Sequence, residues 1–111
     1  MEIQESRQGA VTVVKPMGPI CQGDAAQFKA AVDDVRQRSL GRFVIDAGAV
    51  AYVDSQGLEA LVDVSEALGQ TGQSLRLCGA NPTVREAMEL TGLAEFFEHF
   101  EDANTAVRSF L

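Results

Sequence analysis

The run Phe43-Val44-Ile45 lies between Gly41 and Asp46 with no polar residue in it. A strand with three apolar residues in succession has no face to turn toward water, so it belongs inside a sheet that is covered on both sides. Leu75-Arg76-Leu77-Cys78 is a second strand of the buried type. Whatever else the chain does, it must supply helices to cover these strands.

The helical period appears where it is needed. Phe28, Ala31, Val32 and Val35 follow Asp24 at helical spacing, and Asp24 with Gln27 predicts a capping box at the start of that helix. Leu58, Leu61, Val62 and Leu68 predict a second helix ending near Gly69 or Gly72. Asn81 as cap, with Pro82 at the first helical position, opens a third helix that Val84, Ala87, Met88 and Thr91 carry to Gly92. Ahead of these, Val11-Thr12-Val13-Val14 is a strand closed by Pro16, Gly18 and Pro19, and Ile3 begins an earlier strand paired to it across Gln8-Gly9. At the tail, Phe96-Phe97-Glu98-His99-Phe100 reads as a short strand whose aromatics belong to the core. Ala103, Ala106, Val107 and Phe110 form a last helix after Asp102. Two strands followed by alternating strand and helix define an α/β chain with a mixed sheet, right-handed crossovers, and helices on one or both faces.

A length of 111 residues suits one domain over 1–111 with its own core and no need of a disulfide or metal staple. Sixteen acidic against nine basic residues leave a net charge of −7. With Lys15, Lys29, Arg42, Arg85 and the other cations scattered, neither nucleic acid nor an anionic membrane is an expected partner; a protein with a basic face is. Cys21 and Cys78 lack metal-site spacing and are expected as free thiols in a reducing compartment. Met1 to Glu5 lacks the basic and apolar segments of a signal peptide, and no stretch reaches transmembrane length, so the expected location is cytoplasmic. No cofactor is expected.

Ligands and functional loops of such sheets gather where strands end and helices begin. The segment from Asp46 to Leu58 is one such place. Within Asp54-Ser55-Gln56-Gly57-Leu58 the chain turns sharply into a helix, leaving backbone amides unpaired and favouring negative charge. A serine hydroxyl there is exposed to an incoming phosphoryl group. The competing reading is structural: Asp54 or Ser55 caps the helix, worth on the order of 1 kcal/mol, and spacing alone favours it. Gly57 is the small residue where the helix must approach the sheet closely.

Taken together, Val44-Ile45-Asp46, Val50, Val53-Asp54-Ser55-Gln56-Gly57-Leu58 and Leu61 resemble the signature of STAS domains, the anti-sigma factor antagonist family. Leu75-Arg76-Leu77-Cys78-Gly79, Asn81-Pro82, Val84 and Leu90-Thr91-Gly92-Leu93 resemble the family's second characteristic stretch, and the likeness spans essentially the whole chain. The resemblance implies a STAS fold with a mixed sheet of four to five strands and about four helices. It also implies a non-enzymatic regulator bound by an anti-sigma factor that is itself a serine kinase, with a serine phosphatase as counterpart. Ser55 would be the phosphoacceptor and Asp54 its neighbour in the kinase contact. Asp46 would open the conserved loop, and Gly57 and Leu58 would shape the start of the helix. Gln56 stands where many members have a second Ser or Thr, which removes an ambiguous acceptor; Ala47-Gly48 is less polar than the usual start of this loop. The family alternative is a phosphorylation-independent scaffold, or an accessory subunit of a transport or signalling complex, in which Ser55 only caps the helix. A hydrolase built on Ser55 would need His99, the sole histidine, as its base. A phosphate-receiving magnesium site would need a late lysine, and the only lysines are Lys15 and Lys29.

Overall fold

The computed structural model describes all residues 1–111. A hairpin of β1 (Glu2–Gln8) and β2 (Val11–Met17) is followed by α1 (Ala25–Arg38), β3 (Phe43–Asp46) and α2 (Ser55–Gly69). Then come β4 (Leu75–Cys78), α3 (Pro82–Leu90), a 3-10 turn at Ala94–Phe96, β5 (Phe97–Phe100) and α4 (Ala103–Arg108). The strands lie in the order β1-β2-β3-β4-β5, with β1 antiparallel to β2 and every later pair parallel.

That order decides where the helices go. Each crossover moves one position along the sheet in the same direction, and crossovers of one hand that never reverse direction must all pass over the same face. α1, α2 and α3 therefore share a face. Val14, Phe43, Ile45, Leu75 and Leu77 point into that layer and pack with Phe28, Val32, Leu61 and Val64. The alternate residues Val11, Val13, Val44 and Cys78 point the other way, and only α4 is available to cover them, through Ala106 with Val107 and Phe110. Arg76 ties α4 down: its Nε donates to Ser109 Oγ at 2.7 Å and its guanidinium lies 3.7 Å over the Phe110 ring. The all-apolar run at β3 is thus explained by one thick and one thin covering layer.

Two local expectations are corrected. Asp24 precedes α1 but makes no side-chain capping bond, because its backbone (φ −115°, ψ −12°) is helical rather than extended and aims the carboxylate away from the first turn. Asp24 and Gln27 instead hold the amino group of Met1, at 3.4 and 3.2 Å. Phe96 lies in the 3-10 turn rather than on β5 and is 46% exposed, whereas Phe97 is buried and Phe100 packs against the α4 layer. The carbonyl of Phe96 is fixed by Ser65 Oγ at 2.7 Å, which holds that turn on α2 and leaves the ring outside.

No helix is long and apolar enough to cross a membrane. Both cysteines are free thiols, Cys21 half-buried and Cys78 buried. Burial, with Asp46 nearby as the next contribution, pushes the Cys78 thiol up to about 12. Iodoacetamide at pH 8 is therefore expected to label Cys21 in the native protein and to reach Cys78 only after denaturant is added, which peptide mass analysis reads directly.

Candidate functional site

β3 ends at Asp46, and the chain must travel from there to the first turn of α2. The path is pinned at each step. The Ala47 amide donates to the Cys78 carbonyl at 2.7 Å, and Asp46 Oδ1 accepts from the Gly48 amide at 2.9 Å. Val50 is buried, and Asn81 Nδ2 donates to the carbonyls of both Val50 and Ala51, at 3.2 and 3.1 Å. Val53 then forms an isolated parallel bridge with Ile20 in the segment between β2 and α1, closed by Ile20 N to Tyr52 O and Asp54 N to Ile20 O, each 3.2 Å. The loop is held by the start of α3 on one side and by the approach to α1 on the other.

Asp54 is the N-cap of α2. Its extended backbone (φ −99°, ψ −175°) turns the carboxylate back over the helix, where Oδ1 accepts from the Gly57 amide at 2.8 Å. The second oxygen, Oδ2, accepts from the Gln22 amide at 2.8 Å. One side chain thus caps the helix and fastens the neighbouring loop to it. Gly57 lies directly against that loop: a Cβ added there would overlap the Ile20 carbonyl, so glycine is required by proximity rather than by backbone conformation. Leu58 is buried beneath.

Ser55, the first residue of α2, is exposed, and its hydroxyl makes no hydrogen bond within the chain. The choice of cap left open by spacing is therefore resolved: Asp54 caps, and Ser55 does not. The amides of Ser55 and Gln56 remain open donors at the positive end of the helix. The structure brings Asp54, Ser55, Gln56, Gly57 and Leu58 together at this turn, with Gln56 exposed beside the serine. Asp46 stands at the far end of the loop, where it serves the Gly48 amide, and no hydrogen bond joins it to the start of α2. His99, on β5, has its Nε2 engaged with the Ala94 carbonyl at 3.0 Å, and no hydrogen bond joins it to Ser55.

Sequence reasoning missed three participants. Asn81 reads as a cap, and it is one, accepting from Val84 N at 2.8 Å. An asparagine whose oxygen caps still carries two amide hydrogens, and that surplus was the available signal for its grip on the loop. Ile20 and Gln22 contribute through their backbones, which no residue type announces.

A mixed α/β sheet with an unengaged serine at the mouth of its second helix defines the structural class. The STAS domain family matches residues 2–106, and the chain belongs to it. BtrV of Bordetella bronchiseptica, described as a candidate anti-sigma factor antagonist, is 29% identical over 93 residues, covering 84% of this chain and 80% of that one. An anti-sigma factor antagonist from Mycobacterium paratuberculosis superposes with a TM-score of 0.83 at 26% identity, over 97% of this chain and 92% of that one. The anti-sigma factor antagonist SpoIIAA in its unphosphorylated form shares the fold, with a TM-score of 0.76 at 16% identity over 98% and 96% of the two chains.

The geometry separates three neighbouring substitutions. Gly57→Ala is expected to destabilise by about 1–3 kcal/mol through overlap with the Ile20 carbonyl. Asp54→Ala should cost about 1–2 kcal/mol through the lost cap. Ser55→Ala should stay within about 0.5 kcal/mol of wild type. Urea midpoints at constant slope check the order.

Proposed function

We propose that residues 1–111 act as a single STAS domain of the anti-sigma factor antagonist kind. It docks through the turn at Asp54–Leu58 onto an anti-sigma factor with serine kinase activity and is released when Ser55 is phosphorylated. The observation that carries this reading is that the Ser55 hydroxyl is exposed and unengaged while Asp54 performs the capping. The names of the relatives, anti-sigma factor antagonists in each case, support the general role. The catalytic work belongs to the partner: the γ-phosphoryl group of ATP passes to Ser55 Oγ, the serine proton leaves with the partner's base, and ADP is released. A serine phosphatase reverses the state, and the setting is the cytoplasm, where ATP is supplied.

Electrostatics explains why such a change would matter outside the domain more than inside it. A phosphoserine carries roughly −1.5 to −2 charges at neutral pH. The open amides of Ser55 and Gln56 and the helix dipole stabilise that charge locally, so the fold tolerates it. A partner surface shaped for a neutral hydroxyl beside Asp54 does not, because a bulky dianion now projects from a domain already at −7. The scaffold alternative gave Ser55 a capping role, and that role is held by Asp54.

Incubation with ATP and an anti-sigma factor kinase that binds this chain is expected to add one phosphate to the intact mass, and Ser55→Ala is expected to remain unmodified. Ser55→Asp should bind that kinase roughly tenfold or more weakly than wild type in calorimetry. Equal binding by the two proteins would overturn the switch while leaving the fold assignment intact.

A further inference from the structure

β1 is an edge strand: it pairs with β2 along its whole length, Glu2–Gln8, and its other side is open. The direction of its backbone groups follows from the hairpin. Gly9, at φ +63°, and Ala10 form a two-residue turn closing on Gln8 and Val11, which places hydrogen-bonded pairs at Gln8, Ser6, Gln4 and Glu2. Ile3, Glu5 and Arg7 therefore send their N–H and C=O groups outward. The far side of β2 agrees, because Thr12, the partner of Arg7, donates its amide away from β1 to the Arg42 carbonyl at 3.0 Å. Such a row of unpaired groups is a template for another strand.

Side chains restrict which strand fits. If two copies of β1 meet antiparallel about a two-fold axis, outward-facing residues must pair with outward-facing residues. Centred on Glu5, that places two carboxylates face to face; centred on Arg7, two guanidinium groups. Centred on Ser6, each Glu5 faces the Arg7 of the other copy, and opposite charges meet twice. The two side chains are prepared for this. Arg38 Nη2 holds the Glu5 carboxylate at 3.0 Å from the α1 side, while Arg7 has no ion-pair partner in its own chain.

We propose that a second copy of this chain occupies the β1 edge, the two strands running antiparallel about an axis at Ser6 with Glu5 of each copy opposite Arg7 of the other. The five strands of each copy then join one continuous sheet. The axis reverses strand direction between copies, so the two Ser55 turns lie at opposite ends of that sheet, both free to dock. The pairing stands independently of what Ser55 does. A contact of one strand on one strand is smaller than the roughly 1,600 Å² of a standard interface, so the dimer belongs to the weak, concentration-dependent class.

Cross-linking tests the register. In the full chain carrying Cys21→Ser, Ser6→Cys places two thiols opposite one another as a non-hydrogen-bonded pair, with Cα atoms about 4.5 Å apart and within disulfide reach. Under oxidised glutathione this variant is expected to run at twice the monomer mass, while Gln4→Cys and Glu5→Cys in the same background stay monomeric. Adding Arg7→Glu to Ser6→Cys should slow cross-linking at least tenfold, with circular dichroism unchanged because Arg7 is exposed and unpaired. Light scattering on wild type should show mass rising toward the dimer with concentration, and on Arg7→Glu a constant monomer. Cross-linking through Glu5→Cys as fast as through Ser6→Cys, indifference to Arg7→Glu, or a wild type that stays monomeric with no cross-link at Ser6→Cys would each overturn the proposal.

Discussion

The carboxylate of Asp54 is the joint on which the start of α2 is built. One oxygen takes the Gly57 amide and the other takes the Gln22 amide, so a helix terminus and a loop 32 residues earlier share a single anchor. The arrangement works only because the two backbones come very close, which in turn requires glycine at 57 against the Ile20 carbonyl. With the cap supplied by its neighbour, Ser55 is left with no structural duty at the most electropositive point of the helix. Its freedom is therefore a consequence of what Asp54 does.

The sheet explains why this turn lies where it does. Strands β2 to β5 run parallel, so every strand-to-helix connection emerges at the same end, and the loops before α1, α2 and α3 must meet there. That convergence lets Gln22 and Asn81 both act on the β3–α2 loop and its Asp54 end although they are far apart in the chain. Asn81 reaches Val50 and Ala51 from α3, and Gln22 reaches Asp54 from the approach to α1. The β3–α2 loop is therefore gripped from both flanks by elements whose positions the crossover rule had already fixed.

How much of this was legible in the sequence depended on whether the controlling interaction was local. The apolar period of α2, the Asn81–Pro82 start of α3 and the all-apolar β3 were readable because each is set by neighbours within a few residues. The Asp24–Gln27 pair matched a capping pattern as well as any, yet the helical backbone at Asp24 turned both side chains toward Met1. Phe96 and Phe97 are adjacent and identical in type, yet one ends a 3-10 turn docked on Ser65 with its ring outside and the other begins β5 with its ring inside. At the candidate site the right residues stood out, but spacing could not separate Asp54 from Ser55 as the cap. That distinction rests on φ and ψ at a single position.

The floor beneath Ser55 also bears on how a signal there would travel. Leu58 and Ile20 are buried beside the turn, and Gly57 lies so close to the Ile20 carbonyl that not even a Cβ fits between them. Close-packed interiors do not deform continuously. A charge added at the proposed position would therefore find two open amides to accept it and a rigid base below. The change would be confined to the surface that a partner meets. In the proposed role that confinement is useful, because a domain that kept its fold in both states could be returned to service by removing the phosphate, with no refolding step between.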